Sequence, residues 1–157
     1  MRKGTATPYV LAISRYFLGL LFVATGLGKL LDNRGFAQVI ASYQFGLPDT
    51  LLLPLALAIS LTEFAIGLNI LLGRSLPQNI LATLYFHLGY TSLAVTTLLR
   101  GITLTNCGCF GVFLARPLRW TTVPEDVMLA AISLVCWLLL RRAPGTTTQP
   151  AAVPNSM

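Results

Sequence analysis

Residues 50–72 read TLLLPLALAISLTEFAIGLNILL. A helix needs about 20 mostly apolar residues to cross the hydrocarbon core of a bilayer. This run has that length with one charge in it, Glu63. It is too long for a strand and lacks the alternation of a membrane barrel. Three similar runs lie on either side, from about Tyr9 to Leu31, from Asn79 to Leu99, and a shorter one from Val123 to Leu140. The expected fold is all-α, a four-transmembrane-helix bundle over residues 1–142, with spans near 9–31, 50–72, 79–99 and 123–140 and a loop at 100–122. Gly46-Leu47-Pro48-Asp49 and Gly73-Arg74-Ser75-Leu76-Pro77 punctuate the runs as turns do. Pro124 followed by Glu125 and Asp126 suits a helix start, with acids at the positive dipole end. The proline- and threonine-rich stretch 143–157 reads as a disordered tail.

Composition agrees with this class. Of 157 residues 55% are hydrophobic and 10% charged, against roughly 25% charged in an average soluble domain. That argues against a disordered chain or an ordinary soluble enzyme. The net charge of +6 comes from 11 Lys and Arg against 5 Asp and Glu, with no basic block. Nucleic acid is therefore not an expected partner, and the lipid bilayer is. The first apolar run is about twice the length of a signal-peptide core, and no small-residue cleavage site follows it, so it reads as a retained helix.

Four spans put both termini on one side. Arg2, Lys3, Arg74, Arg141 and Arg142 fall on that side; Lys29, Arg34, Arg100, Arg116 and Arg119 fall on the other. The positive-inside count is a tie. Arg2-Lys3 and Arg141-Arg142 directly abut their spans, which favours cytoplasmic termini in an inner (plasma) membrane. The loop 100–122 then faces the periplasm or the exterior.

That loop carries the most informative string, Asn106-Cys107-Gly108-Cys109-Phe110-Gly111. Two cysteines around one glycine have Cα atoms at most about 7 Å apart, near the upper end of disulfide geometry. Gly108 can adopt turn angles closed to other residues, and a strained, exposed disulfide exchanges readily. Arg116, Arg119 and Lys29, which ends the first span on this side, would favour the thiolates. The chemistry indicated is thiol–disulfide exchange, with Cys107 as nucleophile and Cys109 resolving, or the reverse. Copper binding by the two thiolates and a purely structural turn remain open beside it. Cys136, about 16 Å into the fourth span at 1.5 Å per residue, reads as a packing residue.

Three ionisable residues lie inside spans, where charge is costly and functional by default. Arg15, Glu63 and His87 sit roughly 9, 13 and 12 Å from the terminal side. A buried Arg15–Glu63 pair with His87 nearby is expected, either fixing helix register or serving as a proton or quinone site. Lys29 is expected to snorkel to the interface.

The residues also resemble a known family. Arg15-Tyr16-Phe17-Leu18-Gly19 running on to Gly26-Leu27-Gly28-Lys29-Leu30 is similar to the opening of DoxX-like and MauE-like membrane proteins. So are the loop from Phe36 to Pro48 and Glu63-Phe64-Ala65-Ile66-Gly67-Leu68. Cys107-Gly108-Cys109-Phe110-Gly111 resembles the MauE-type cysteine signature. The resemblance implies a four-helix membrane bundle tied to redox maturation. It points to disulfide formation during assembly of methylamine dehydrogenase or, through DoxX relatives, to thiosulfate and quinone chemistry. It also implies exported cysteine-containing clients or membrane redox-complex subunits as partners. A non-catalytic accessory or assembly subunit is the alternative role.

Overall fold

The structure is a computed structural model that describes residues 6–142. The expected disordered tail at 143–157 lies outside the described residues. Among these residues there are five helices and no strand: α1 (Ala6–Leu31), α2 (Asn33–Ser42), α3 (Asp49–Leu72), α4 (Leu76–Leu99) and α5 (Thr122–Arg142). The four apolar runs are each helical to within one turn of their expected ends. Three of these helices, over Pro8–Leu31, Asp49–Leu72 and Thr122–Arg142, are long and apolar enough to cross a membrane. α4 matches α3 in length, but Thr83, His87, Ser92, Thr96 and Thr97 dilute its apolar character.

The packing suits a lipid environment. Leucines at 51, 53, 55, 57, 61, 68 and 72 of α3 point outward, while Ala56, Ser60, Glu63 and Gly67 face inward. Small residues on the inner face let helix backbones approach closely. A Cβ on Gly26 would come within 2.5 Å of the Phe64 backbone nitrogen, and one on Gly67 within 2.5 Å of that of Val23. These two contacts lock α1 and α3 antiparallel and set their register. α4 packs chiefly on α5.

α2 stands where the sequence reads as a loop. Asp32 caps it, its Oδ1 accepting from the Gly35 N–H at 2.8 Å. Phe36, Val39 and Tyr43 bury one side of this segment at helical spacing. They form an apolar cluster with Ala56, Ala94, Leu104, Cys107 and Leu118. A second cluster, Leu18, Phe22, Ile66, Ile70, Ile80 and Cys136, fills the other part of the bundle. Cys136 is fully buried there, in a cluster separate from the cysteine loop.

Candidate functional site

The loop after α4 folds back into the bundle. Backbone bonds from Leu118 N to Leu104 O (3.0 Å) and from Cys107 N to Arg116 O (2.8 Å) draw its two arms together. Asn106 staples the tip: its Oδ1 accepts from the Gly108 N–H at 2.9 Å and its Nδ2 donates to the Gly111 carbonyl at 3.0 Å. Gly108 has φ +75°, and a Cβ there would meet Val39 Cγ1 at 2.8 Å, so both backbone and space call for glycine. At Gly28 the bare α1 backbone admits the Phe110 carbonyl, which a Cβ would approach to 2.8 Å.

The result is a dithiol held inward. Cys107 and Cys109 are free cysteines with their sulfurs hydrogen-bonded at 2.8 Å; Cys107 is buried and Cys109 half-buried. The bond to Cys109 holds the Cys107 thiol down at about 6, against the opposing effect of burial and with help from the Arg116 charge. The same bond, with burial, pushes the Cys109 thiol well up, and the charge of Lys29 opposes that rise. One thiolate and one thiol therefore sit side by side at neutral pH. Burial, reinforced by the two cysteines, pushes the Tyr43 hydroxyl up as well, so it stays protonated. It donates to the Cys107 carbonyl at 2.8 Å.

Glu63 pairs with Lys29, not with Arg15. Lys29 Nζ donates to both Glu63 carboxylate oxygens at 2.6 Å, and each side chain is only 1% exposed. Lys29 Nζ also reaches Tyr90 Oη at 3.1 Å, and the Tyr90 hydroxyl donates to Glu63 Oε1. The cause is the register of α1 on α3. Because Gly26 faces Phe64, Lys29 lies within a turn of Glu63, and Arg15 falls level with the C-terminal end of α3. Arg15 Nε and Nη2 there donate to the Ile70 and Leu71 carbonyls, both at 2.9 Å. Both carbonyls belong to the last turn of α3, where helical acceptors run short of donors; that of Ile70 also accepts from the Gly73 N–H at 3.2 Å. The expected snorkelling of Lys29 is corrected for the same reason: the Glu63 carboxylate holds it inside.

Two cavities flank the dithiol. The larger, about 320 Å³, is walled by Cys109, Glu63, His87 and Tyr90 together with apolar residues such as Phe22 and Leu129. Phe17 and Met128, 45% and 57% exposed, flank it, so it opens on the apolar outer face between α1 and α5. The smaller, about 180 Å³, lies among α2, α3 and α4 and is walled by Cys107, Cys109, Tyr90, Phe36 and Leu93. His87 is positioned by Ser133, whose Oγ lies 3.2 Å from Nδ1, and by the edge of Phe22. Arg116, expected to tune the thiolates, also ion-pairs with Glu125 at the rim of the larger cavity. Arg119 is exposed, and Arg15 lines neither cavity.

The structure thus brings together Cys107, Gly108, Cys109, Lys29, Glu63, His87 and Arg116, and it leaves out Arg15 and Arg119. Sequence reasoning gave no structural role to Tyr90, Tyr43 or Asn106. Tyr90 was signalled by its place three residues after His87, on the same face of α4. Among the described residues no three of His, Cys, Asp and Glu are grouped to hold a metal ion, so a copper site would rest on Cys107 and Cys109 alone. The larger cavity fits the quinone that the resemblance implies: apolar walls, a mouth on the lipid-facing side, and polar groups beside Cys109.

Fold and site together define a multi-pass helical membrane protein with a paired-cysteine loop folded into its bundle. A family model described as "Methylamine utilisation protein MauE" matches residues 7–139. The chain belongs to the MauE family. It is 31% identical over 150 residues to a Methylamine utilization protein MauE of Paracoccus denitrificans, covering 96% of this chain and 75% of the relative. It is 29% identical over 153 residues to a Methylamine utilization protein MauE of Paracoccus versutus, covering 96% and 81%. No solved structure matches the chain.

Proposed function

We propose that this protein is an inner-membrane thiol–disulfide redox protein that exchanges through Cys107 and Cys109 with exported cysteine-containing proteins. Its four long helices all cross, the termini face the cytoplasm and the cysteine loop faces outward. The observation that carries the reading is the sulfur pair itself, hydrogen-bonded at 2.8 Å in a glycine-turned loop with one cysteine held as thiolate. A thiolate is the nucleophile of exchange, and a neighbouring thiol resolves the mixed disulfide. Gly108 permits the turn, Asn106 and Tyr43 fix it, and Arg116 and Lys29 supply positive charge to the sulfurs. In the larger cavity Cys109, His87 and Tyr90 would hold a quinone, which when bound would serve as a two-electron acceptor. The names of the relatives suggest clients within methylamine utilisation.

The test is Cys107→Ser and Cys109→Ser in cells, scoring the disulfide state of exported proteins by alkylation shift. Accumulation of reduced or misbridged clients in both variants is expected. Clients with the same disulfides as wild type would remove the redox reading and leave the accessory-subunit role.

A further inference from the structure

Exchange at a buried dithiol raises the question of where the second proton goes. Cys107 already holds its thiolate, but Cys109 must lose a proton before it can attack, and most of the side chains that wall its two cavities are apolar. Charged and titratable groups approach it from every side. The charge of Lys29 reaches it from α1, and Tyr43 at the C-cap of α2, Glu63 from α3, and His87 and Tyr90 from α4 share its cavities. Glu125 and Asp126 come from α5, and Cys107 and Arg116 from the loop. Of these, Tyr90 alone walls both cavities with Cys109 while its hydroxyl is bonded to a buried carboxylate.

We propose that Tyr90 relays the Cys109 proton to Glu63, with Lys29 holding the charge of the cluster constant. The inference rests on the exchange chemistry proposed above. In that chemistry the Cys107 thiolate attacks one sulfur of a partner disulfide. The Cys107–partner bond forms, the partner S–S bond breaks, and one partner thiolate leaves. Cys109 then attacks the Cys107 sulfur, forming the Cys107–Cys109 bond and expelling the second partner thiolate with the bonding pair. The partner disulfide gains two electrons and the cysteine pair loses two. As Cys109 attacks, its proton passes to Tyr90 Oη while the Tyr90 proton passes to Glu63 Oε1. Glu63 later returns it to water, and the departing partner thiolate is protonated there. Run in reverse, the same relay returns the proton to Cys109.

The electrostatics favour this route. An uncompensated charge in an apolar interior is expensive. Here the negative charge leaves Glu63 as it appears on Cys109, and Lys29 attends both: it ion-pairs with Glu63, and its charge reaches Cys109. No net charge is created during the transfer. A role limited to fixing helix register would use the Tyr90 hydroxyl only to satisfy the Glu63 carboxylate, and would leave the chemistry of Cys109 independent of it.

The experiment uses the detergent-solubilised full chain carrying Cys136→Ala, so that only the loop thiols report. Dithiodipyridine is the disulfide; its thiopyridone product is coloured. Wild-type residues should release product in two phases, the first from attack by Cys107 and the second from resolution by Cys109. Tyr90→Phe keeps the ring and removes the relay. It should leave the first phase intact and slow the second by about a hundredfold, the low end of what positioned acid–base groups supply. The second phase should also slow in heavy water, and this isotope sensitivity should vanish in Tyr90→Phe. Tyr85→Phe, on the exposed side of the same helix, should change neither phase. An unchanged second phase in Tyr90→Phe overturns the relay while leaving the exchange reading in place. Equal slowing of both phases overturns it too, because that marks a structural role. No product release from the parent chain takes the exchange reading and the relay down together.

Discussion

Cys107 and Cys109 are chemically unlike although one glycine separates them. Cys109 donates its proton toward Cys107 and is itself held as a thiol, so the pair presents a single nucleophile. The alkylation rate of Cys107 by iodoacetamide should therefore rise through pH of about 6 and be flat above it. Because the folded value lies below that of the unfolded thiol, the stabilisation is present at higher pH and is lost as pH falls through about 6. Cys109→Ala removes the main cause and should move the midpoint up toward the ordinary thiol value of about 8.5. Mass-resolved alkylation across pH measures both. A midpoint that stays put in Cys109→Ala would place the cause elsewhere, on Arg116. The dithiol string was legible in the sequence because cysteine and glycine spacing is local chemistry. Asn106 was not, because its side chain bonds to Gly108 and Gly111 only once the loop has closed.

At the level of elements, the pairing of helices decides which charges meet. The sequence identified Arg15, Glu63 and Lys29 as residues of note, and depth along each span suggested Arg15 for Glu63. Depth is blind to the stagger between helices, which the Gly26 and Gly67 contacts set. That stagger makes Lys29 the partner and turns Arg15 into a cap for α3. The short helix α2 escaped for a different reason: at ten residues it is too brief to stand out beside 20-residue apolar runs, although Asp32 and the spacing of Phe36, Val39 and Tyr43 mark it in retrospect. Removing one partner of a buried ion pair strands the other, at a cost of about 3–5 kcal/mol, whereas replacing both with apolar groups is often nearly neutral. Lys29→Met should thus destabilise the bundle by that amount, and Lys29→Met with Glu63→Leu should recover most of it. Reversible unfolding in detergent micelles, run as a double-mutant cycle, gives the comparison. A double variant as unstable as the single would show that the pair is not the source of the cost.

For the whole molecule the open matter is α4. Among the long helices it is the one not apolar enough over a spanning length to cross by composition alone, so what it packs beside matters. Phe22 of α1 meets Phe86 and His87 of α4, with ring centroids 5.9 and 5.4 Å apart. Lys29, further along α1, meets Tyr90. α4 therefore runs beside α1 through the same layer, and its buried polar residues Thr83, His87 and Thr97 face protein instead of lipid. The connection from α3 is a tight turn, Gly73 at φ +76° followed by Arg74 and Ser75, so α4 must retrace the path of α3. On the four-span reading proposed above, α4 crosses with α1. Crossing puts Arg74 and Arg119 on opposite faces of the membrane; a surface-lying α4 puts them on the same face. Arg74 and Arg119 are both exposed, so a cysteine placed at either can be labelled. In a background with Cys107, Cys109 and Cys136 replaced, Arg119→Cys should react with an impermeant maleimide in intact cells and Arg74→Cys only after lysis. Labelling of neither or of both before lysis would refute the crossing of α4. Labelling of Arg74→Cys alone would keep four spans but turn the dithiol loop toward the cytoplasm, away from any exported client.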